Sequence, residues 1–336
     1  MVIFEVAPFV AERNPRMILS VSRRTDIPAY YSDWFYNRLK AGFLCVRNPM
    51  NLRQVSKIFL SPETVDCIVF WTKNPEPMFA RMEELAEYQY YFQFTLTGYG
   101  KDMECGLPPK KEKLIPAFCI LAEKIGCRRM IWRYDPIIFT KKYTPEYHLR
   151  AFGQSAEALR GCTEHCVISF VDTYAKNRKN MMAMGAYELG EAELLEFCKA
   201  ISTIARENGM SMGSCAERID LAQCGIGHNC CIDKELIERI IGCRLKAGRD
   251  KNQRTACGCV ESVEVGTYNT CGNGCLYCYA NHSAESVRKS RGKYDAFSPV
   301  LCDSIKEEDV VVERKMRLLR EPQMGVYDFY GDDKRQ

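Results

Sequence analysis

The residues best suited to chemistry in this chain are its cysteines: nineteen in 336 residues, ten of them between Cys215 and Cys278. The tightest grouping is Cys271-Gly272-Asn273-Gly274-Cys275-Leu276-Tyr277-Cys278, a C-x3-C-x2-C run. Three closely spaced thiolates on a Gly-containing loop can ligate three irons of a four-iron four-sulfur (4Fe-4S) cluster and leave the fourth iron open. Structural zinc takes four ligands, and His282 or another cysteine could complete the set, so spacing alone keeps zinc as an alternative, as it does chance spacing in a cysteine-rich stretch. A second grouping is Cys257-Gly258-Cys259 with Cys215 and one of the adjacent pair Cys230-Cys231. Cys215, Cys231, Cys257 and Cys259 would form a four-thiolate site for a second iron–sulfur cluster or a zinc ion. The nine scattered cysteines, such as Cys67 and Cys166 inside apolar runs, are expected to fill the core as small hydrophobes.

Positioning these residues requires a scaffold, and the apolar pattern supplies one. Runs rich in β-branched and aromatic residues predict strands at 17–22, 65–71, 90–96, 128–133, 166–171, 210–214 and 262–266. Helical spacing falls between them at 76–88, 111–125, 144–159 and 190–208, with a further helix at 233–241. Segments 43–47 and 54–60 read as a hairpin excursion. Strand alternating with helix implies an α/β fold with a parallel sheet, here a partial (β/α) barrel of about six to seven strands. The expected organisation is one barrel domain over 1–282, including the cysteine-rich region 215–282, then a charged extension over 283–336 with an exposed helix at 305–319.

In such a barrel the strand C-terminal ends gather the functional loops. Just past the apolar runs stand Ser22-Arg23-Arg24-Thr25-Asp26, Thr72-Lys73-Asn74, Thr95-Leu96-Thr97, Arg133-Tyr134-Asp135-Pro136, Asp172-Thr173-Tyr174 and Ser214-Cys215-Ala216-Glu217-Arg218. Arg24, Lys73 and Arg133 could steady a carboxylate or phosphate, Arg with a bidentate fork. Asp135 and Glu217 could hold a ribose hydroxyl or an ammonium group. The plainer alternative is a set of salt bridges between neighbouring loops. Asp26, ahead of Ile27-Pro28, reads as a turn or cap.

Composition narrows the function classes. Forty-seven Lys and Arg against 43 Asp and Glu leave a net charge of +4, too little to announce a nucleic-acid or membrane surface. No apolar run approaches the roughly 18 residues of a membrane span. The N-terminal Met1-Val2-Ile3-Phe4-Glu5 lacks a basic segment, so a signal peptide is not expected, and an odd cysteine count then favours a reducing cytoplasm. No GxGxxG occurs. His148 and His165 do not adjoin a rim cysteine, which disfavours Cys–His hydrolysis. A zinc-stapled binding protein, for nucleic acid among other ligands, stands as the alternative to a redox enzyme.

The Cys271 to Cys278 run, with Tyr277 at the aromatic position, resembles the radical S-adenosylmethionine (SAM) signature C-x3-C-x-aromatic-C, as do the preceding Ser262–Gly266 and the following Tyr279-Ala280-Asn281. The resemblance implies that Cys271, Cys275 and Cys278 hold a 4Fe-4S cluster, that Tyr277 lies near the adenine of SAM, and that the open iron binds the SAM amino and carboxylate groups. One electron, from a donor such as flavodoxin or ferredoxin, would then cleave SAM to methionine and a 5′-deoxyadenosyl radical acting on an unknown substrate. The superfamily places its cluster loop after the first strand, whereas here it follows the last, which implies a circular permutation. Its Gly-Gly-Glu, which contacts the SAM amino group, has no counterpart; that place holds Ser22, Arg23 and Arg24, making Ser22 and Arg23 the cofactor-binding candidates by position. Across most of its length, through Ser20–Pro28, Phe70–Pro75 and Arg133–Pro136, the chain also resembles a prokaryotic family described as a domain of unknown function.

Overall fold

The computed structural model describes residues 16–171, 177–215, 217, 219–254 and 257–321. The expected rim segment Asp172-Thr173-Tyr174, together with Ala216 and Arg218, lies outside the described residues.

From the first described residues the chain forms β1 (Met17–Val21), α1 (Ile27–Tyr30), α2 (Ser32–Ala41), β2 (Phe43–Asn48), β3 (Asn51–Phe59), β4 (Val65–Thr72) and β5 (Tyr90–Thr95). It continues through α3 (Ile115–Ile125), β6 (Met130–Ile137), α4 (Pro145–Ala158), β7 (His165–Phe170), α5 (Arg178–Ala183) and α6 (Glu191–Glu207). The last elements are β8 (Ser211–Cys215), β9 (Ile226–Asn229), α7 (Lys234–Ile241), β10 (Val263–Glu264), α8 (Ala284–Arg291) and β11 (Val310–Glu313). Eight strands form one sheet in the order β10-β1-β4-β5-β6-β7-β8-β9, and every neighbouring pair runs parallel. The partial-barrel expectation holds, with β9 as the extra strand: at four residues and with His228 and Asn229 in it, it lacks an apolar run to betray it. The late strand β10 lies beside β1, with Leu19 opposite Val263. Apart from that one strand, spatial order follows chain order.

Strand alternation divides the sheet into two unlike faces. Outward go Leu19, Ile68, Phe70, Phe92, Phe94, Met130, Trp132 and Ile168, which form the main core with α1 to α4 and α6. Helix α6 contributes Phe197, Cys198, Ile201 and Ala205, one stripe at helical spacing. Aromatic stacking is dense there: Phe70 on Phe92 and Trp132 on Phe152 each have ring centroids 4.7 Å apart. Inward go Ile18, Cys67, Val69, Tyr91, Ile131 and Val167, plugged by Ile232, Leu236 and Ile237 around α7 and by Leu245 and Val260. The inward positions toward the strand C-terminal ends are instead polar or cysteine: Ser22, Lys73, Thr95, Arg133, Asp135, Ser169 and Cys215.

Several expectations change in the structure. The stretch after Pro75 is not an α-helix: Glu76–Leu85 is 3-10 helix, broken at Arg81, and Lys110–Leu114 is a π turn ahead of α3. Strand β6 begins at Met130 because Cys127–Arg129 makes one 3-10 turn. The exposed helix expected over 305–319 is absent; Val310-Val311-Val312 favours strand, and β11 pairs in parallel with β3 beside the expected hairpin of β2 and β3. The segment after Ser283 also joins the body, with Leu301 and Cys302 in the main core and Trp34 Nε1 donating to the Ser298 carbonyl at 2.8 Å. Two scattered cysteines, Cys119 and Cys162, are not free core thiols but a disulfide between α3 and the turn after α4. No helix among the described residues is long and apolar enough to cross a membrane.

Candidate functional site

A cavity of about 710 Å³ opens at the strand C-terminal ends. Its walls carry Cys271, Cys275 and Cys278 together with Cys215, Cys231, Cys257 and Cys259, so the two cysteine groups share one chamber.

The loop bearing the first three cysteines is braced from two sides. Asp26, buried at the N-cap of α1, accepts from Ala29 N at 3.1 Å, as its sequence position suggested. Its carboxylate also accepts from Thr72 Oγ1 at 2.7 Å, Lys73 N at 2.8 Å and Asn273 Nδ2 at 3.0 Å, tying α1, the end of β4 and the cysteine loop together. Tyr30 and Tyr31 donate to Asn273 Oδ1 at 2.9 Å and to the Thr270 carbonyl at 2.6 Å. On the other side the loop after β5 runs along it: Gly106 N donates to Asn273 O at 3.0 Å, and Leu276 N to Met103 O at 3.0 Å. A Cβ on Gly106 would collide with the Gly272 carbonyl, so only glycine fits there. Gly274 turns the loop at φ +64°, where glycine carries no side-chain penalty.

Beside Cys275 lies a buried charge network. Glu104 accepts from Lys73 Nζ at 2.7 Å, Thr97 Oγ1 at 3.0 Å, Lys110 Nζ and the Tyr277 hydroxyl. Burial alone would raise the Glu104 carboxyl, but the two ammonium groups outweigh it and hold it at about 2. Burial works against the Lys73 ammonium too, yet Glu104 keeps its pKa above the usual lysine value. Tyr277 is therefore fixed by its hydroxyl, with its ring against Tyr99 at 5.7 Å and its edge on the cavity. Burial pushes the Cys275 thiol up to about 12, partly opposed by Lys73, and raises the Cys271 thiol well above its ordinary value. Metal ligation would have to release those protons.

Across the chamber Arg133, 5% exposed, donates through Nε to Asp135 at 3.0 Å and through Nη1 to Gln93 Oε1 at 3.3 Å and Cys231 Sγ at 2.9 Å. Its guanidinium lies 5.3 Å from the Trp71 ring centroid, with Arg23 at 6.0 Å from the same ring. Asp135 also accepts from Ser169. Arg23 is held by Glu264 through its backbone N–H at 3.1 Å and its Nε at 3.4 Å.

Of the residues singled out from sequence, Ser22, Arg23, Lys73, Arg133, Asp135, Tyr277 and all seven cysteines line the cavity. Arg24 and Glu217 are not among the lining residues. Arg24 places its guanidinium over the Tyr268 ring at 5.1 Å, and Glu217 accepts from Phe170 N at 2.9 Å at the end of β7. Alternation from Ser22 and Cys215 would turn both inward, but both lie past the ends of β1 and β8, where the loop and not the strand pleat sets their direction. His148 is buried between Tyr134 and Ile138, and the exposed His282 is not on the cavity wall. Sequence reasoning misses Glu104, Trp71, Asn273 and Tyr279: Glu104 and Asn273 lie in loops without a periodic signal, and the two aromatics look like ordinary core residues in the sequence.

Fold and site thus define an α/β protein with a partial parallel barrel whose mouth is lined by cysteine, lysine and arginine. The family model described as "Domain of unknown function (DUF1848)" matches residues 18–280, and the chain belongs to that family. No curated protein matches it.

Proposed function

We propose that this protein is a radical SAM enzyme, with Cys271, Cys275 and Cys278 as the ligands of a 4Fe-4S cluster. The observation that carries the reading is the placement of the C-x3-C-x2-C loop. It follows β10, the strand beside β1, and turns its three cysteines into a chamber at the strand C-terminal ends. A strand so placed stands where the first strand of an unpermuted barrel would stand.

The donor set fits. Three thiols from one loop face a volume within the range of small-molecule sites, leaving space on the cavity side for a second ligand. Among the described residues no group of three or more His, Cys, Asp or Glu is arranged to hold a metal ion. A cluster asks less convergence than a single ion does, because each thiolate binds a different iron. When bound, the cluster and SAM would together supply one-electron cleavage of SAM and a hydrogen-abstracting radical.

The chain's own contribution is placement and shielding. Asp26 and Asn273 fix the cysteine loop, and Gly106 lets the neighbouring loop close over it. Lys73 keeps a positive charge beside Cys275. Trp71, Tyr268, Tyr277 and Tyr279 wall the chamber and limit water, while Asp135 and Ser169 offer polar groups on the far side. A small one-electron donor in a reducing compartment would complete the system. Anaerobic reconstitution with iron and sulfide tests the reading. We expect about four irons and four sulfides on this loop per chain, lost in Cys271→Ala/Cys275→Ala/Cys278→Ala, and a reduced paramagnetic signal that shifts when SAM is added. A loop that takes up no iron overturns it.

A further inference from the structure

We infer that Cys215, Cys231, Cys257 and Cys259 form a second, four-thiolate metal centre on the floor of the same cavity. These residues come from three separate stretches: the end of β8, the turn before α7, and the segment before β10. The fold nevertheless brings them together. Cys215 Sγ is 3.1 Å from Cys231 Sγ, and Cys257 and Cys259 share the same buried cluster and line the same cavity. All four are buried, and all four also border the cavity.

Simple core packing accounts poorly for this arrangement. A buried cysteine that only fills space needs apolar neighbours, as Cys166 and Cys198 have in the main core. These four have such neighbours too, in the cluster under α7, but two of their sulfurs are also met by N–H donors. Arg133 Nη1 donates to Cys231 Sγ at 2.9 Å, Ile232 N to Cys259 Sγ at 3.3 Å, and Asn229 Nδ2 to Cys231 Sγ at 3.8 Å. Hydrogen bonds of this kind orient metal-bound thiolates and stabilise their charge. The neighbouring Cys230 is not on the cavity wall; it lies against Gly258, where a Cβ would meet its sulfur. Of the adjacent pair, Cys231 is therefore the ligand.

A set of four thiolates without histidine or carboxylate selects a soft centre, and because no three such groups among the described residues converge on a single ion, the centre is an iron–sulfur cluster, each thiolate on its own iron. Ligation would replace the Cys215–Cys231 sulfur contact by metal–sulfur bonds. It would also tie the end of β8 and the 257–259 segment to the floor built by α7. The site is independent of the Cys271 loop, so it can stand or fall without the radical SAM reading.

The test is metal and sulfide analysis of the full chain, purified and reconstituted without oxygen with iron and sulfide or with zinc. The variant Cys271→Ala/Cys275→Ala/Cys278→Ala is expected to retain one metal centre per chain, and Cys215→Ala/Cys231→Ala/Cys257→Ala/Cys259→Ala to lose it. Iron with equimolar sulfide supports the site as a cluster; zinc without sulfide overturns the cluster. Because the fourfold variant could unfold, anaerobic alkylation of wild-type protein, read by peptide mass spectrometry, gives an independent measure. The four cysteines should be protected in loaded protein and become reactive after chelation. No metal in the first variant, with equal alkylation before and after chelation, overturns the site, as does a Cys215–Cys231 disulfide in protein handled without oxygen. A wild type holding no more metal than the first variant would instead count against the Cys271 loop.

Discussion

Replacing Glu104 by glutamine removes one charge from a place where three charged groups meet. Glu104 is 1% exposed and accepts from Lys73, Lys110, Thr97 and Tyr277. Glutamine keeps the shape but turns one acceptor oxygen into a donor, so an N–H2 group faces an ammonium or a hydroxyl. Two lysine ammonium groups then lie together with no carboxylate between them. Removing one partner of a buried ion pair costs about 3–5 kcal/mol, because the remaining charge is left uncompensated. With about 2.1 cal/mol/K of unfolding entropy per residue, a chain of 336 residues loses about 1.4 °C in Tm per kcal/mol. Glu104→Gln should therefore lower Tm by about 4 to 7 °C, measured by calorimetry or circular dichroism on reduced, metal-free protein. Adding Lys110→Met to Glu104→Gln should recover part of the loss by removing one stranded charge. A Glu104→Gln protein that melts within about 1 °C of wild type would refute the argument, since such a network could not be both buried and coupled.

Other predictions concern the same scaffold. Asp26→Ala leaves the Thr72, Lys73 and Asn273 donors unmet and removes the cap of α1, and should cost about 2–4 kcal/mol in urea unfolding with m unchanged. Burial holds His148 neutral and lowers its pKa to about 4 from the ordinary 6.5. Protonation thus favours the unfolded chain: this contribution is intact above pH 6.5 and about 3 kcal/mol of it is lost as pH falls to 4. His148→Gln should flatten that part of the stability–pH curve, read from denaturant midpoints between those limits. Gly106→Ala should displace the cysteine loop through the Gly272 carbonyl and reduce iron uptake on reconstitution while the far-ultraviolet circular dichroism is kept.

Most of the sheet is legible in the sequence because its strands are buried on both faces and read as apolar runs, Val65–Thr72 being the clearest. The eighth strand, β9, is not, being short and polar, and β11 is not because its three valines sit inside a charged stretch that reads as an exposed helix. The chamber is legible through its cysteines and through residues that continue the inward alternation, such as Lys73 just past β4 and Arg133 and Asp135 on β6. Arg24 and Glu217 show the limit of that reasoning: proximity to a strand end does not set the direction of a side chain. Glu104 shows another, because its role comes from contacts with residues as distant in sequence as Tyr277, which no local pattern encodes. The joining of Cys231 to Cys215 likewise depends on how the turn before α7 returns to the sheet.

The most direct test of the central reading is a single anaerobic assay. Reconstituted protein is reduced with dithionite in the presence of SAM, and 5′-deoxyadenosine is quantified by chromatography. The account predicts 5′-deoxyadenosine from the wild type and none above background from Cys271→Ala/Cys275→Ala/Cys278→Ala. Equal amounts from both proteins, or none from a wild type shown to carry its full iron and sulfide, would contradict it.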